Sequence, residues 1–423
     1  MRRDRETELK TLTYHLLSLT WAIASLPVAL SAADQSHRWI TTWSTANAAS
    51  EKPTEFSNQT IREIVHTTTG GSAVRLRLAN TFGPHAIRFD AVFIGAQQAG
   101  AALVRGSNHP VTFGGSHAIE IPEGAEVLSD PVSLAVSSEQ NLAISLFTPG
   151  STGPATQHGS AFQTNYVSGA GNFAGEENAN GFAESGGAKT IGSWYFLSAV
   201  EVLARPGSHG AVVALGDSIT DGASSRPDRN ERWTDVLAHR LLAQHKEIAV
   251  LNAGIGGNRV LTTSPCWGQN ALARMRRDVL SQVGIEAVIL FEGTNDIGQP
   301  DTPAPEGNPC LSRTPVTADQ IIAAYKQIIG RAHAQGLKIF GATILPYQGF
   351  IAWNAQGEAK RVAVNQWIRN AKAFDGVIDF DAALRDPAIP SRLASQYDSG
   401  DHLHPGTAGH DAMGKAVDLR LFH

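Results

Sequence analysis

This chain of 423 residues has little cysteine, little methionine and no surplus of positive charge. Its two cysteines, Cys266 and Cys310, are too few and too far apart for a thiolate metal site, and no paired-histidine spacing makes up the missing ligands. The formal charge is -5 and the lysines and arginines form no stripe, which argues against nucleic acid as the main partner because phosphate binding needs clustered cations. A glycine pattern of the Gly-x-Gly-x-x-Gly type is absent, as is a P-loop lysine, so nothing points to a nucleotide cofactor. Beyond the N-terminus no run is long and apolar enough to cross a bilayer. With 42% apolar and 17% charged residues, neither a collagen-like, a coiled-coil nor a disordered composition fits, and the length allows two domains with separate cores. A neutral or weakly charged substrate is expected, with no cofactor.

What is present begins with Arg2, Arg3, Arg5 and Lys10, then an apolar stretch from about Leu16 to Leu30, then Ser31-Ala32-Ala33. That is the shape of an export signal cleaved near Ala33. A membrane anchor is the competing reading, but Pro27 and the small residues after it favour cleavage and a secreted or periplasmic chain. An exported protein meets an oxidising compartment, so Cys266 and Cys310 are expected to be bonded, bracing loops at the rim of a site.

From residue 34 to 207 the pattern has the period of two that half-buried strands require: Val74, Leu76 and Leu78 alternate with Arg75 and Arg77, and Leu142, Ile144 and Leu146 repeat it. Gly70-Gly71, Gly83-Pro84, Gly114-Gly115 and Pro149-Gly150 separate the strands, which predicts an all-β sandwich or jelly roll. Ser151 to Gly192 is rich in small polar residues and reads as long surface loops that rim a binding face. Trp39, Trp43 and Trp194 could offer stacking faces to a glycan, although filling the sandwich core is the preferred reading.

From 208 to 423 short apolar strands alternate with helical stretches, the pattern of a doubly wound parallel sheet. Strands are expected at Ala211 to Leu215, Ile248 to Leu251, Ala287 to Phe291, Lys338 to Thr343 and Val377 to Phe380. Thr317, with Gln320 three residues on, forms a capping box before the helix that follows. In such sheets ligands sit beyond the carboxyl ends of the strands, which is where the polar motifs fall.

The first strand breaks into Gly216-Asp217-Ser218-Ile219-Thr220-Asp221-Gly222, placing a lone serine at a tight turn. A serine hydroxyl there needs a base, an orienting carboxylate and oxyanion donors before it can act as a nucleophile. The second strand ends in Asn252-Ala253-Gly254-Ile255-Gly256-Gly257-Asn258-Arg259, whose glycines let a backbone N–H point into a site. The third ends in Glu292-Gly293-Thr294-Asn295-Asp296; Asn295 is equally compatible with an oxyanion donor and with a turn cap. Glu292 has no evident role and is expected to pair with an arginine such as Arg259 behind the site. Near the end stands Asp401-His402-Leu403-His404-Pro405, in which a helical turn would let Asp401 hold one ring nitrogen of His404 while His402 points elsewhere. Metal binding by His402 and His404 lacks a convincing third ligand.

In this order and spacing the four segments resemble the SGNH (GDSL) hydrolase superfamily, whose signature residues map onto Ser218, Gly257, Asn295 and His404. The resemblance covers Ala211 to Leu421 and implies a flavodoxin-like three-layer α/β/α fold. It makes Ser218 the nucleophile, His404 the base, Asp401 its orienting partner, and Ser218 N–H, Gly257 N–H and the Asn295 amide the oxyanion hole. The longer runs 216–222, 252–261 and 398–405, with the N-terminal β region, are similar to secreted acetyl xylan esterase-like enzymes, which implies deacetylation of a polysaccharide. A lipase, lysophospholipase or thioesterase of the same fold, or glycan binding through the β region, are the alternatives.

Overall fold

The structure, a computed structural model, describes residues 38–50, 52–304 and 307–422. The expected export signal over 1–33 lies outside these residues. The N-terminal region is built from antiparallel strands in two main sheets. One runs in the order Trp39–Ser44, Leu197–Ala204, Gly71–Ala79, Glu126–Leu128. The other runs Lys189–Ile191, Asn165–Ala170, Gln59–His66, Asn141–Thr148, Ala91–Ala99, Ala102–Leu103. Because alternate side chains of a strand face opposite ways, Val74, Leu76 and Leu78 of the first sheet meet Ile61, Val65, Leu142, Ile144 and Leu146 of the second in one buried cluster.

The C-terminal half carries a parallel sheet of five strands, Ala211–Gly216, Ala249–Gly254, Ile285–Phe291, Lys338–Ala342 and Gly376–Ile378, in the order second, first, third, fourth, fifth. The first strand therefore has neighbours reached by crossovers in opposite directions, and a crevice opens at their carboxyl ends. The strand's alternation divides the core. Val213 and Leu215 pack with Met275, Ile321, Ile328, Val364 and Ile368 on one face, while Val212 and Ala214 pack with Trp233, Leu237, Leu241 and Met413 on the other. The helix Ala318–His333 begins with the expected capping box: Gln320 N–H donates to Thr317 Oγ1 at 3.2 Å and Thr317 N–H to Gln320 Oε1 at 2.8 Å.

Two stretches depart from expectation. The sequence pattern of Gly268 to Val283 predicts a helix between the second and third parallel strands, yet only Ala271–Met275 is α-helical and Arg276–Leu280 widens into a π turn. The segment 151–192, expected as loops alone, adds the strands Asn165–Ala170 and Lys189–Ile191 to a sheet. Small residues hid the strand signal, and side chains fix it instead. Asn165 Oδ1 accepts the Ile64 N–H at 2.7 Å, and the buried Arg62 guanidinium donates to the carbonyls of Ala101 and Glu176 at 2.7 and 2.6 Å.

The two halves are bonded to each other. Thr41 N–H donates to Val283 O and Val283 N–H to Thr41 Oγ1, both at 3.0 Å, and Val250 N–H donates to Thr68 Oγ1 at 3.1 Å. Ile40, Ala46 and Ala204 belong to the same buried cluster as the parallel sheet. Among the described residues no helix is long and apolar enough to cross a membrane.

Cys266 and Cys310 form a disulfide with Cα atoms 5.2 Å apart, joining positions separated by 44 residues. Cross-linking a loop of that length restricts the unfolded chain, so the double variant Cys266→Ser, Cys310→Ser is expected to lose roughly 2 to 4 kcal/mol of unfolding free energy in a urea titration. The unreduced native protein should take up no alkylating reagent.

Candidate active site

The site is assembled where the first three parallel strands end. After Gly216 the chain turns at once into a four-residue helix, Ser218–Asp221, capped by Asp217, whose Oδ1 accepts the Ile219 N–H at 3.0 Å. Gly222 closes that turn with φ of 112°, a conformation that disfavours any side chain, and a Cβ there would come within 2.6 Å of the Arg232 side chain. Ser218 is held at the mouth of the turn with its hydroxyl free to reach across the crevice.

It reaches His404. Ser218 Oγ lies 2.9 Å from His404 Nε2, and His404 Nδ1 lies 2.6 Å from Asp401 Oδ2. With the ring proton on Nδ1 donated to the carboxylate, Nε2 presents its lone pair to the serine hydroxyl. Residues 398–404 do not form the expected helical turn; they run as bends closed by a bridge between Asp398 and Pro405. The Asp401 side chain makes its own turn, with Oδ1 accepting the amides of Leu403 at 2.9 Å and His404 at 2.8 Å. Partial burial works against the charge, but the His404 ring and these two amides outweigh it and hold the Asp401 carboxyl well below the usual carboxylate range. The stability this bonding contributes is present above the ordinary aspartate pKa of about 3.9 and is lost only as pH falls through the lower folded value. His402 is bonded instead to Asp398, Nδ1 to Oδ2 at 2.6 Å.

The glycine-rich loop passes beside Ser218. Gly257 has φ of 72°, and a Cβ there would lie 2.4 Å from the Trp267 ring, so both the backbone shape and the space demand glycine. No turn or loop bond among the described residues uses the Gly257 amide. Asn295, the second residue of the helix Thr294–Gly298, donates from Nδ2 to Asn258 O at 3.0 Å. Asp296 does not cap its own helix: its carboxylate accepts Val260 N–H at 2.7 Å and Leu261 N–H at 3.0 Å, tying the third motif to the second.

Beneath this surface lies a layer of buried carboxyls. Burial pushes Asp217 up to about 6 against the pull of the Ile219 amide and the nearby His404, and it pushes Asp296 to about 6 as well. Burial and the neighbouring Asp217 drive Glu292 well above the usual range, and neither of its oxygens has a hydrogen-bond donor. Its cationic neighbour is Arg274, at 3.7 Å, and not Arg259. Arg259 turns to Thr263 O at 3.5 Å and faces Asp296. Nothing in the spacing marked Arg274. Its guanidinium is fully buried and donates to Gly216 O at 2.8 Å, Ala253 O at 2.7 Å and Asn258 Oδ1 at 2.9 Å, binding the ends of the first two strands to the glycine-rich loop.

Ser218, Gly257, Asn295 and His404 all line one cavity of about 410 Å³. Its apolar walls are Phe162, Trp267, Leu311, Tyr347, Phe350 and Leu403. Phe162 and Ser160 come from the small-residue segment of the β region, and Trp267 and Leu311 sit beside the two bonded cysteines. The indoles of Trp43 and Trp194 are unavailable to a glycan: both are buried and pack edge to face with centroids 5.0 Å apart. Trp39 lies under the Arg75 guanidinium. Among the described residues no group of three or more His, Cys, Asp or Glu side chains could hold a metal ion.

Residues 214–412 match the model of the GDSL-like lipase/acylhydrolase family. Solved structures similar to this chain include an acetylxylan esterase from Geobacillus stearothermophilus, with 22% identity, 51% of this chain and 95% of that chain covered, and a TM-score of 0.38. Others are the acetyl xylan esterase AlAXEase (20%, 49% and 96% covered, TM-score 0.36) and a GDSL-like lipase from Bacteroides thetaiotaomicron (19%, 50% and 87% covered, TM-score 0.35). No curated protein matches the chain.

Removing the buried cation would leave Glu292 without its cationic neighbour and the carbonyls of Gly216 and Ala253 without the guanidinium donors, so Arg274→Met is expected to cost about 3 to 5 kcal/mol of stability. Chemical denaturation measures it, and a loss under about 1 kcal/mol, the size typical of exposed pairs, would show that the network does not hold the strand ends.

Proposed function

We propose, for a chain whose residues 214–412 are a GDSL-like lipase/acylhydrolase domain, that it is a serine esterase with Ser218 as nucleophile, His404 as base and Asp401 as the group that orients the base. The observation that carries this reading is the unbroken relay from Ser218 Oγ through the His404 ring to Asp401, at 2.9 and 2.6 Å. His404 Nε2 takes the hydroxyl proton as Ser218 Oγ attacks the ester carbonyl carbon. The Asp401 carboxylate stabilises the imidazolium that forms. The amides of Ser218 and Gly257 and the Asn295 side chain meet the developing oxyanion. His404 then protonates the leaving alcohol, and water, activated by the same ring, hydrolyses the acyl-enzyme and restores Ser218. These groups complete the cycle using side chains and backbone alone.

The substrate we favour is a short acyl ester, in particular O-acetyl on a polysaccharide, met outside the cell after export. The likeness of the runs 216–222, 252–261 and 398–405 to acetyl xylan esterase-like enzymes supports it, as does the disulfide, which suits an oxidising compartment. We place the boundary between the β accessory region and the hydrolase domain near Ser208. One observation favours a second reading, a lipase or thioesterase: the cavity is walled by Phe162, Trp267, Tyr347 and Phe350 and is larger than an acetyl group requires. An acyl chain-length series of p-nitrophenyl esters separates the two, a peak at acetyl supporting the first reading and a peak at long chains the second.

Ser218→Ala is expected to lower p-nitrophenyl acetate turnover by on the order of 10⁴ or more while the protein stays folded. Unchanged turnover would refute the assignment. Losing the Asn295 amide in Asn295→Ala should cost on the order of 10² to 10³ in kcat. Asp401→Asn should also reduce kcat strongly, because the amide cannot hold the ring tautomer; a mild effect would leave a Ser-His dyad.

A further inference from the structure

His158 lies in the β region, 63 residues before Asp221, in the small-residue segment whose sequence carries no catalytic signal. It is buried, and each ring nitrogen faces an oxygen: Nδ1 is 2.9 Å from Ala46 O, and Nε2 is 2.9 Å from Asp221 Oδ1. A carbonyl oxygen only accepts, so Nδ1 must donate. Nε2 then meets the carboxyl oxygen through a hydrogen bond only if a proton lies between them, one more than a neutral imidazole beside a carboxylate supplies. The site holds a doubly bonded ring, not a spare histidine in a core.

The other end of the contact explains why such a ring matters. Asp221 is the last residue of the short helix that Ser218 begins, and its amide donates to Asp217 O at 2.9 Å. Its second oxygen, Oδ2, accepts the Gly256 N–H at 2.9 Å, one residue before Gly257. One carboxylate therefore joins the turn bearing the Ser218 amide to the loop bearing the Gly257 amide, and His158 fixes that carboxylate from the β region. The Arg232 guanidinium bonds the Asp221 carbonyl at 2.9 Å and also donates to Ala161 O.

We propose that His158 is a positioning residue for the oxyanion hole, acting through Asp221 to hold the Ser218 and Gly257 amides at one spacing. This rests on the esterase reading, and it makes the β region part of the catalytic unit. The ionisable groups facing the ring are Asp221 and, around the small adjoining cavity of about 40 Å³, His66, Arg232 and Asp235. Burial alone would drive the ring neutral, but the Asp221 carboxylate and the Ala46 carbonyl overcome it and hold the proton more firmly than an ordinary histidine does. The clamp is therefore complete below the ordinary histidine pKa of about 6.5 and is lost as pH rises through the higher folded value.

The test uses the full chain, with His158→Ala and His158→Gln beside wild type and folding followed by melting temperature. For p-nitrophenyl acetate at pH 7, His158→Ala should lower kcat by about 10- to 100-fold, the loss expected when a catalytic group is misplaced by an ångström. KM should stay within about twofold, since the donors act on the transition state and not on the bound ester. His158→Gln, whose amide can still donate to Asp221, should recover part of the loss. Hydrogen exchange of the peptide spanning 254–258 should accelerate in the alanine variant, a readout that does not depend on the ester chosen. A folded His158→Ala protein with wild-type kcat and wild-type exchange overturns the proposal. So does a parallel fall of kcat, substrate affinity and melting temperature in both variants, which would make the residue only a strut. Should Ser218→Ala keep its turnover, the esterase reading fails, and the exchange experiment still decides whether His158 restrains the loop.

Discussion

The arrangement depends on a cation that water never touches. Arg274 lies under the carboxyl ends of the first two parallel strands, where three donors are spent on Gly216 O, Ala253 O and Asn258 Oδ1. Its charge is set against Asp278 and Glu292. A buried ion is costly unless its donors and its charge are both answered, and here answering them requires the strand ends and the glycine loop to sit where they do. Burial acts on the carboxyls around it more strongly than its charge does. Asp217 and Glu292 are pushed upward by burial and, for Glu292, by the proximity of Asp217. The floor of the crevice is thus a buried polar layer, and the candidate site is laid on top of it.

That surface draws on both halves of the molecule. The parallel sheet supplies Ser218, the glycine loop and Asn295 from three adjacent strand ends, as a crevice at a switch in strand order would. The β region supplies Phe162 and Ser160 to the cavity wall and His158 to the Asp221 carboxylate. A backbone bond from Thr41 to Val283 O, with the hydroxyls of Thr41 and Thr68 accepting the amides of Val283 and Val250, holds the two halves in register. A segment poor in apolar residues can take this role because its order comes from bonded side chains, among them Arg62 and Asn165, and not from a core of its own.

The parallel strands and the helix from Ala318 to His333 were legible because their signals are local: a run of apolar residues, a period, a Thr-x-x-Gln cap. The strands at 165–170 and 189–191 were not, because their pairing is fixed by long-range bonds and they lie within a segment dominated by small polar residues. The widening of the helix after Met275 was equally hidden. The motif residues could be picked out for the same local reason that a strand end is visible, whereas the loop geometry of Asp401 differed from the helical turn expected of a three-residue spacing. There the carboxylate makes its own turn with the amides of Leu403 and His404.

By itself, the order of residues determined where the strands end and which polar side chains stand at those ends, because both follow from the chemistry of neighbours along the chain. Only the tertiary structure decided which of them meet. Ser218 and His404 are 186 positions apart and bonded, Glu292 faces Arg274 and not Arg259, and a histidine of the β region reaches Asp221. Charge and hydrogen-bond partners are chosen by distance in space, and that distance is set by how the sheet, its helices and the β region pack, which no spacing along the chain encodes.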